Sequence, residues 1–561
     1  MRSLLFPFLL LLAVNAASQQ ADPYNYSPRK YMAATRFAVS SAHPMASEAG
    51  AAVMRQGGNA VDAAIATQLA LAVVYPQAGN LGGGGFLVAR LTDGRTLSID
   101  YREKAPGKAH RDMYLDAAGN PVVRRSLDGH LAAGVPGTVA GLAASLPYGR
   151  LPLSKLVAPA IVLAEKGFAI TEQEAAGLNR LQEAFIRLNT RPSAFVKAAP
   201  WKAGDTLIQK DLANTLRRIA KKGMKGFYEG ETARLVAEEM QRGGGIITKA
   251  DMAAYKAVLR KPVEFTFRGH TVISMPLPSS GGIGLQQMLG MVEDFPLEKY
   301  GFHSPEAVQR MIEAERRAYA DRAQYLGDPD FVKVPVQQLT DRKYLQQRIA
   351  DFTPGKPTPS TGVKAGGPFE SMETTHLSVV DAEGNAVSVT TTLNGSYGNK
   401  VVVGGAGFLL NNEMDDFSVK PGAPNLYGLL GTEANAIAPG KRMLSCMTPT
   451  IVLKNNLPYL VTGTPGGSTI ITSLFQTLVN DIVFGLDAKT TVNAPKFHHQ
   501  WWPEDVLIEK AFPDSTRTAL TNMGYNLKVS GPWSRTELIR ILNGKIEAVG
   551  DWRGDDSVAG E

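Results

Sequence analysis

An α+β fold is predicted by three features of this 561-residue sequence. Residues 374–380 and 386–392 are rich in Thr, Val and Ser and flank the turn-forming Asp381-Ala382-Glu383-Gly384-Asn385, the pattern of an antiparallel hairpin. From Ala46 to Pro76 an Ala-rich pattern reads as two core helices interrupted at Gly57-Gly58. A helix-rich region then runs from about Gly134 to residue 350. With 44% hydrophobic and 20% charged residues, the chain is long enough for more than one core, and general disorder is excluded. Its net charge of +7 comes from scattered Lys and Arg. No basic run with interleaved aromatics appears, so nucleic acid is not an expected partner.

Taken in order, Met1-Arg2, an apolar stretch from Leu4 to Val14 and small residues at Ala16 and Ala17 read as a secretory signal over 1–17, too short to span a bilayer. No later segment is a transmembrane candidate. The mature chain is therefore expected in the periplasm or secreted, with no membrane anchor after signal removal. Cys446 is the only cysteine and can form no internal disulfide. Asn59 is placed as the N-cap of the second Ala-rich helix. Gly82-Gly83-Gly84-Gly85 precede the apolar strand 86–91 without the Lys-Ser/Thr or glycine spacing of a phosphate loop, so they predict close backbone packing. Asp93-Gly94 turns the chain into a strand at 96–101 that delivers Arg102, whose planar fork suits a carboxylate.

Within the helical region, Ser304 and Pro305 open a helix whose Val308, Met311, Ile312, Ala318 and Tyr319 form an apolar face expected on a sheet. Leu277 to Gly282 reads as a turn before another helix, with no chemistry assigned. Residues 352–370 are a Pro/Gly-rich connector, and 401–403 and 408–410 look like strands. Glu413, Asp415 and Asp416 lie in one acidic loop, but their spacing is not that of a calcium loop. Residues 420–431, with Tyr427, have the Pro/Gly content of a surface lid. Gly466-Gly467 offer two adjacent N–H groups suited to an oxyanion. His498-His499 beside Trp501-Trp502 read as packing, since adjacent side chains point apart, and no metal is expected.

If the hairpin loop is 381–385, Val380 faces Ala386 and Thr374 falls opposite Thr392, with Cβ atoms about 4.5–5.5 Å apart. Cleavage between Glu373 and Thr374 would free an α-amine of pKa about 7.7–8.0 beside a β-hydroxyl, an activated nucleophile with its own base. On these residues alone, an ordinary Thr-rich core hairpin stays the simpler reading.

The motifs change that reading. Thr374-Thr375-His376-Leu377-Ser378-Val379-Val380-Asp381, Asn411-Asn412-Glu413-Met414-Asp415-Asp416-Phe417, Lys441-Arg442-Met443-Leu444-Ser445-Cys446 and Thr464-Pro465-Gly466-Gly467-Ser468 resemble the gamma-glutamyltranspeptidases, or glutathione hydrolases, of the N-terminal-nucleophile hydrolase superfamily. The resemblance runs from about residue 30 to the end, and Tyr101 to Pro106 joins it. It implies a four-layer αββα sandwich made as a precursor, cut into a large subunit 18–373 and a small subunit 374–561 that form one intertwined heterodimer. It also implies roles. Thr374 is the nucleophile, Thr392 orients its amine, and Gly466 and Gly467 hold the oxyanion. Arg102 and Ser445 bind the α-carboxylate of a γ-glutamyl substrate and Asp416 its ammonium, with Asn394 and Glu413 nearby and Tyr427 on the covering loop. Cys446 stands where the family often has a second serine, which puts that contact in doubt because a thiol donates poorly. The implied partners are glutathione and other γ-glutamyl compounds, amino-acid or peptide acceptors, and water, with no cofactor. Two alternatives remain open: a glutaryl or cephalosporin-type acylase of the same superfamily, and a non-catalytic periplasmic binding protein.

Overall fold

The strands Thr375–Val380 and Ala386–Thr392 form the central hairpin of a seven-stranded antiparallel sheet. Val380 pairs with Ala386 and Thr375 with Thr391, the register expected of a five-residue turn. The turn is closed by Asp381 Oδ1, which accepts the N–H groups of Glu383 and Asn385 at 3.0 Å each. Gly384 supplies the left-handed residue that this path needs, at φ 90°. Outward from the hairpin lie Ala38–Ser41 and Ser557–Gly560 on one side, and Gly84–Arg90, Thr96–Asp100 and Val258–Arg260 on the other. This computed structural model describes residues 22–360 and 374–561. The signal segment 1–17, the end of the connector and Glu373 fall outside the described residues.

A second seven-stranded antiparallel sheet faces the first and runs Tyr31–Ala34, Lys545–Val549, Glu537–Leu542, Leu457–Gly463, Thr450–Lys454, His270–Ser274, Val263–Phe267. Phe86, Val88, Val380, Ile451, Val461 and Ile539 fill the space between the sheets. On the outer face of the first sheet lie the helices Pro44–Arg55 and Ala60–Val74; on that of the second, Gly281–Val292 and Thr469–Ile482. The result is the expected αββα order. Because each sheet is covered on both faces, the hairpin strands are buried at every position and lack a strict apolar/polar alternation.

Local signals behave as their chemistry requires. Asn59 caps Ala60–Val74 by accepting from Val61 N at 3.0 Å and Asp62 N at 3.1 Å, while Asp62 Oδ2 accepts from Asn59 N at 3.0 Å. Asn59→Ala removes this cap and the bond from Asn59 Nδ2 to Tyr148 O. A loss of about 1–2 kcal/mol is expected, seen as a lower urea midpoint. Gly83 and Gly85 do serve close approach, since a Cβ there would sit 2.1 Å from Thr392 O and 2.5 Å from Thr390 O. Ser304 caps Pro305–Tyr325 by accepting from Ala307 N at 3.1 Å.

Three expectations are corrected. The segments 401–403 and 408–410 are not strands but meet only in an isolated Val402–Leu409 bridge, because Gly405 and Gly407 bend the chain with φ of 78° and 79°. The helical region contains the strands Val258–Arg260, Val263–Phe267 and His270–Ser274; the tight turn between the last two uses Arg268 at φ 47° before Gly269, and an arginine there gives little turn signal. The apolar face of Pro305–Tyr325 packs on Gly281–Val292, and it is that helix which lies on the sheet. No helix among the described residues is long and apolar enough to cross a membrane.

Candidate active site

Thr374 stands at the mouth of the hairpin, just before its strand, and is 3% exposed. Its hydroxyl donates to Thr392 Oγ1 at 3.4 Å, and that oxygen accepts from Asn394 N–H at 2.8 Å. The hydroxyl pair predicted from the register is therefore present. His376 is the nearest imidazole along the strand, but it is bound to Thr390 Oγ1 at 2.9 Å and Ser378 Oγ at 3.1 Å. Burial pushes it down to about 3, so it is a neutral packing residue and not a base for Thr374.

Thr374 and Thr392 form part of the wall of a small cavity that brings together nearly all of the residues singled out in the sequence; Gly466 lies beside it in the chain. One wall is a dense charge cluster. Arg102, 1% exposed, has Nη1 2.6 Å from Glu413 Oε2 and 3.7 Å from Glu103 Oε2, while its Nη2 pairs with Asp416 Oδ2. Burial works against the Arg102 cation, but Glu413, Asp416 and Glu103 outweigh it and hold the pKa above its ordinary value. On the acids, burial dominates. It pushes Glu103 up to about 8 and raises Glu413 and Asp416, with Arg102 pulling in the opposite sense on all three. The family resemblance implies Arg102 and Asp416 at opposite ends of a zwitterion; here the two pair with each other. Asn425 Nδ2 adds a bond to Asp416 Oδ1 at 3.1 Å.

Asn394 turns the chain at φ 74° and donates from Nδ2 to Asn412 O at 3.0 Å, which ties the hairpin end to the acidic loop. Tyr427 donates to Asn394 O at 2.8 Å and is 4% exposed. The loop that carries it is thus a cover with a buried tip, not a free surface lid. Its ring lies over Gly467, where a Cβ would come within 2.5 Å of Tyr427 Cε1. Gly466 and Gly467 have φ of 137° and 54°, and their carbonyls accept from Thr469 and Ile470 at 3.0 and 3.3 Å as the helix Thr469–Ile482 begins. Among the described residues neither glycine N–H has an acceptor. Both lie at the positive end of a helix dipole, a setting suited to a developing oxyanion.

Also on the cavity wall, Ser445 Oγ accepts from Met447 N–H at 3.1 Å, leaving its own proton for a ligand. Cys446 is also at the cavity, 7% exposed, with Sγ 3.9 Å from Ser280 Oγ; burial raises its thiol pKa, so it is a weak neutral donor. Cys446→Ser is expected to keep turnover and lower KM by a factor worth about 1 kcal/mol or less, measured by initial rates. Sequence reasoning missed Arg322, from the last turn of Pro305–Tyr325, and the apolar Leu429, Met447 and Ile470, all of which line the same cavity. A lone basic residue at a helix C-terminus ordinarily reads as a partner for the dipole, so no local signal marked it. His498 is bound to Thr472 Oγ1 and Gln500 Oε1, each at 2.8 Å, and no group of three metal-binding side chains occurs among the described residues.

Two facing antiparallel sheets between helical layers, with a buried threonine at the head of a central strand and a glycine turn across from it, define an N-terminal-nucleophile hydrolase. Similarity searches narrow the class. The family model for gamma-glutamyltranspeptidase matches residues 46–561, and the chain belongs to that family. It is 47% identical over 556 residues to the glutathione hydrolase proenzyme of Escherichia coli (strain K12), covering 97% of this chain and 96% of the relative. It is 36% identical to the acylase ACY 1 proenzyme of Pseudomonas sp. (strain V22), covering 94% of each. The crystal structure of a cephalosporin acylase from Bacillus halodurans superposes with a TM-score of 0.82 at 26% identity, over 97% of this chain and 98% of that one.

Proposed function

We propose that the chain is a precursor that cuts itself between Glu373 and Thr374 and then transfers the γ-glutamyl group of glutathione and related compounds to water, amino acids or peptides. The observation that carries this is the pairing of the Thr374 hydroxyl with Thr392 at the edge of a cavity whose walls hold both acids and guanidinium groups. In maturation, Thr374 Oγ1 attacks the Glu373 carbonyl carbon, the peptide C–N bond breaks, and an ester and a free α-amine form. Water then hydrolyses the ester and restores the hydroxyl, leaving fragments 18–373 and 374–561 after signal removal. In turnover the α-amine takes the Thr374 hydroxyl proton as the oxygen attacks the γ-carbonyl carbon, and Gly466 and Gly467 N–H groups hold the oxyanion. The proton passes to the leaving amine as its C–N bond breaks, and water or an acceptor amine opens the threonyl ester.

Asp416, supported by Glu413 and Asn394, receives the substrate ammonium, while Arg102 and Ser445 face its carboxylate. Tyr427 closes the cavity over Gly467. The mature enzyme is assigned to the periplasm or the exterior, as an intertwined heterodimer without a cofactor. A denaturing gel of purified protein, paired with hydrolysis of a γ-glutamyl anilide, tests the reading. Two fragments with release of the aniline are expected; one intact, inactive band would favour a binding protein.

A further inference from the structure

Arg322 is the second guanidinium of the cavity, and among the described residues it is buried without an ion pair. It is 7% exposed, and its Nε donates to Ser280 Oγ at 3.0 Å, whose hydroxyl donates in turn to Ser445 O at 2.7 Å. Those two bonds seat it against the Ser445-Cys446 wall. Among the described residues no carboxylate lies within ion-pair distance of Arg322; it hydrogen-bonds the Cys446 thiol, and its charge reaches Asp416 only from farther off. Neighbouring buried arginines differ: Arg316 pairs with Glu313 and Glu504, Arg317 with Glu313 and Asp351, and Arg442 with Asp100. A buried cation lining a cavity without an ion-pair partner is costly until an anion enters.

The charge layout decides where that anion belongs. Both Nη groups of Arg102 already face carboxylates, so a ligand carboxylate reaching only that side would meet Glu413 and Asp416. Arg322 and the Ser445 hydroxyl line the same cavity, and among the described residues neither is held in an ion pair. We propose that Arg322 is a second, directly contacting cation for the α-carboxylate of the γ-glutamyl donor, gripping it together with Ser445 while Asp416 takes the ammonium on the same carbon. This rests on the γ-glutamyl reading of the site. The planar fork then makes two parallel N–H bonds to the two carboxylate oxygens, a geometry that lysine cannot reproduce. Arg322 belongs to the large fragment and Ser445 to the small one, so the carboxylate grip spans the cut.

The test compares two anilides that share the scissile amide and the ammonium: γ-glutamyl-p-nitroanilide, and 4-aminobutyryl-p-nitroanilide, which lacks the α-carboxylate. Arg322→Gln is expected to lower kcat/KM for the first at least about tenfold more than for the second, mostly through KM. Arg322→Lys, which keeps the charge, is expected to fall between Gln and the unmodified enzyme on the first donor. Equal losses on both donors would show that Arg322 only holds Ser280 and Ser445 in place, and no loss would show that the carboxylate does not touch it; either result overturns the proposal. If Arg322→Gln fails to mature, the same donor ratio measured on Arg322→Lys decides, an unchanged ratio counting against the assignment. Failure of the unmodified enzyme to hydrolyse the γ-glutamyl anilide would instead sink the functional reading itself.

Discussion

Thr374→Ala is expected to yield a single full-length chain after signal removal, with activity on a γ-glutamyl anilide reduced by at least about a thousandfold, because in the proposed mechanism one hydroxyl serves both self-cleavage and turnover. The geometry leaves no substitute. Thr392 Oγ1 already accepts from Asn394 N–H at 2.8 Å, and His376 is held neutral between Thr390 and Ser378. Mass spectrometry of the purified variant checks the outcome. Appearance of a fragment beginning at residue 374 would assign the cleavage to another group. The fold should persist in the variant, since Thr374 lies just outside the strand whose Thr375–Thr391 pairing begins the ladder.

Asp416→Asn is expected to remove most of the preference for γ-glutamyl over glutaryl donors. The two anilides differ only in the ammonium group, and the unmodified enzyme is expected to favour the γ-glutamyl compound at least tenfold in kcat/KM. An unmet charge in a desolvated site costs roughly 2–5 kcal/mol, and each factor of ten corresponds to about 1.4 kcal/mol. The lower end applies, because Arg102 pairs with Asp416 even without a ligand and so compensates part of that cost. In the variant Arg102 keeps Glu413 at 2.6 Å, so the cluster stays paired and self-cleavage proceeds. The γ-glutamyl rate falls while the slow glutaryl rate stays within about threefold. Equal rates on both donors in the unmodified enzyme, or a preference that survives the substitution, would move the assignment toward the acylase with which the chain shares its fold.

Much of this was legible because it depends on counting along the chain. The length of the 381–385 turn sets which hairpin residues face each other, and hence that Thr374 meets Thr392. Asn59 before an apolar helix and Ser304 before Pro305 are caps whose hydrogen bonds reach only three residues. The acidic loop, the Gly466-Gly467 turn and the Tyr427 segment were each recognisable as local pieces. The turn at Arg268-Gly269 was missed because its left-handed arginine is a property of the fold rather than of residue preference.

By itself, then, the sequence determined the α+β class, the hairpin register and the caps, all set by turn length and short-range hydrogen bonding. Only the tertiary structure decided which charges meet. Arg102 and Asp416 are 314 positions apart, and Arg322 reaches the cavity through Ser280, 42 positions before it. Whether a guanidinium is a free clamp or already paired depends on the carboxylates that packing brings within bonding distance and on how far burial raises their pKa values. Neither quantity is carried by local spacing. Both arise when the fold brings Thr374, the acidic loop and the Ser445-Cys446 segment together and buries them.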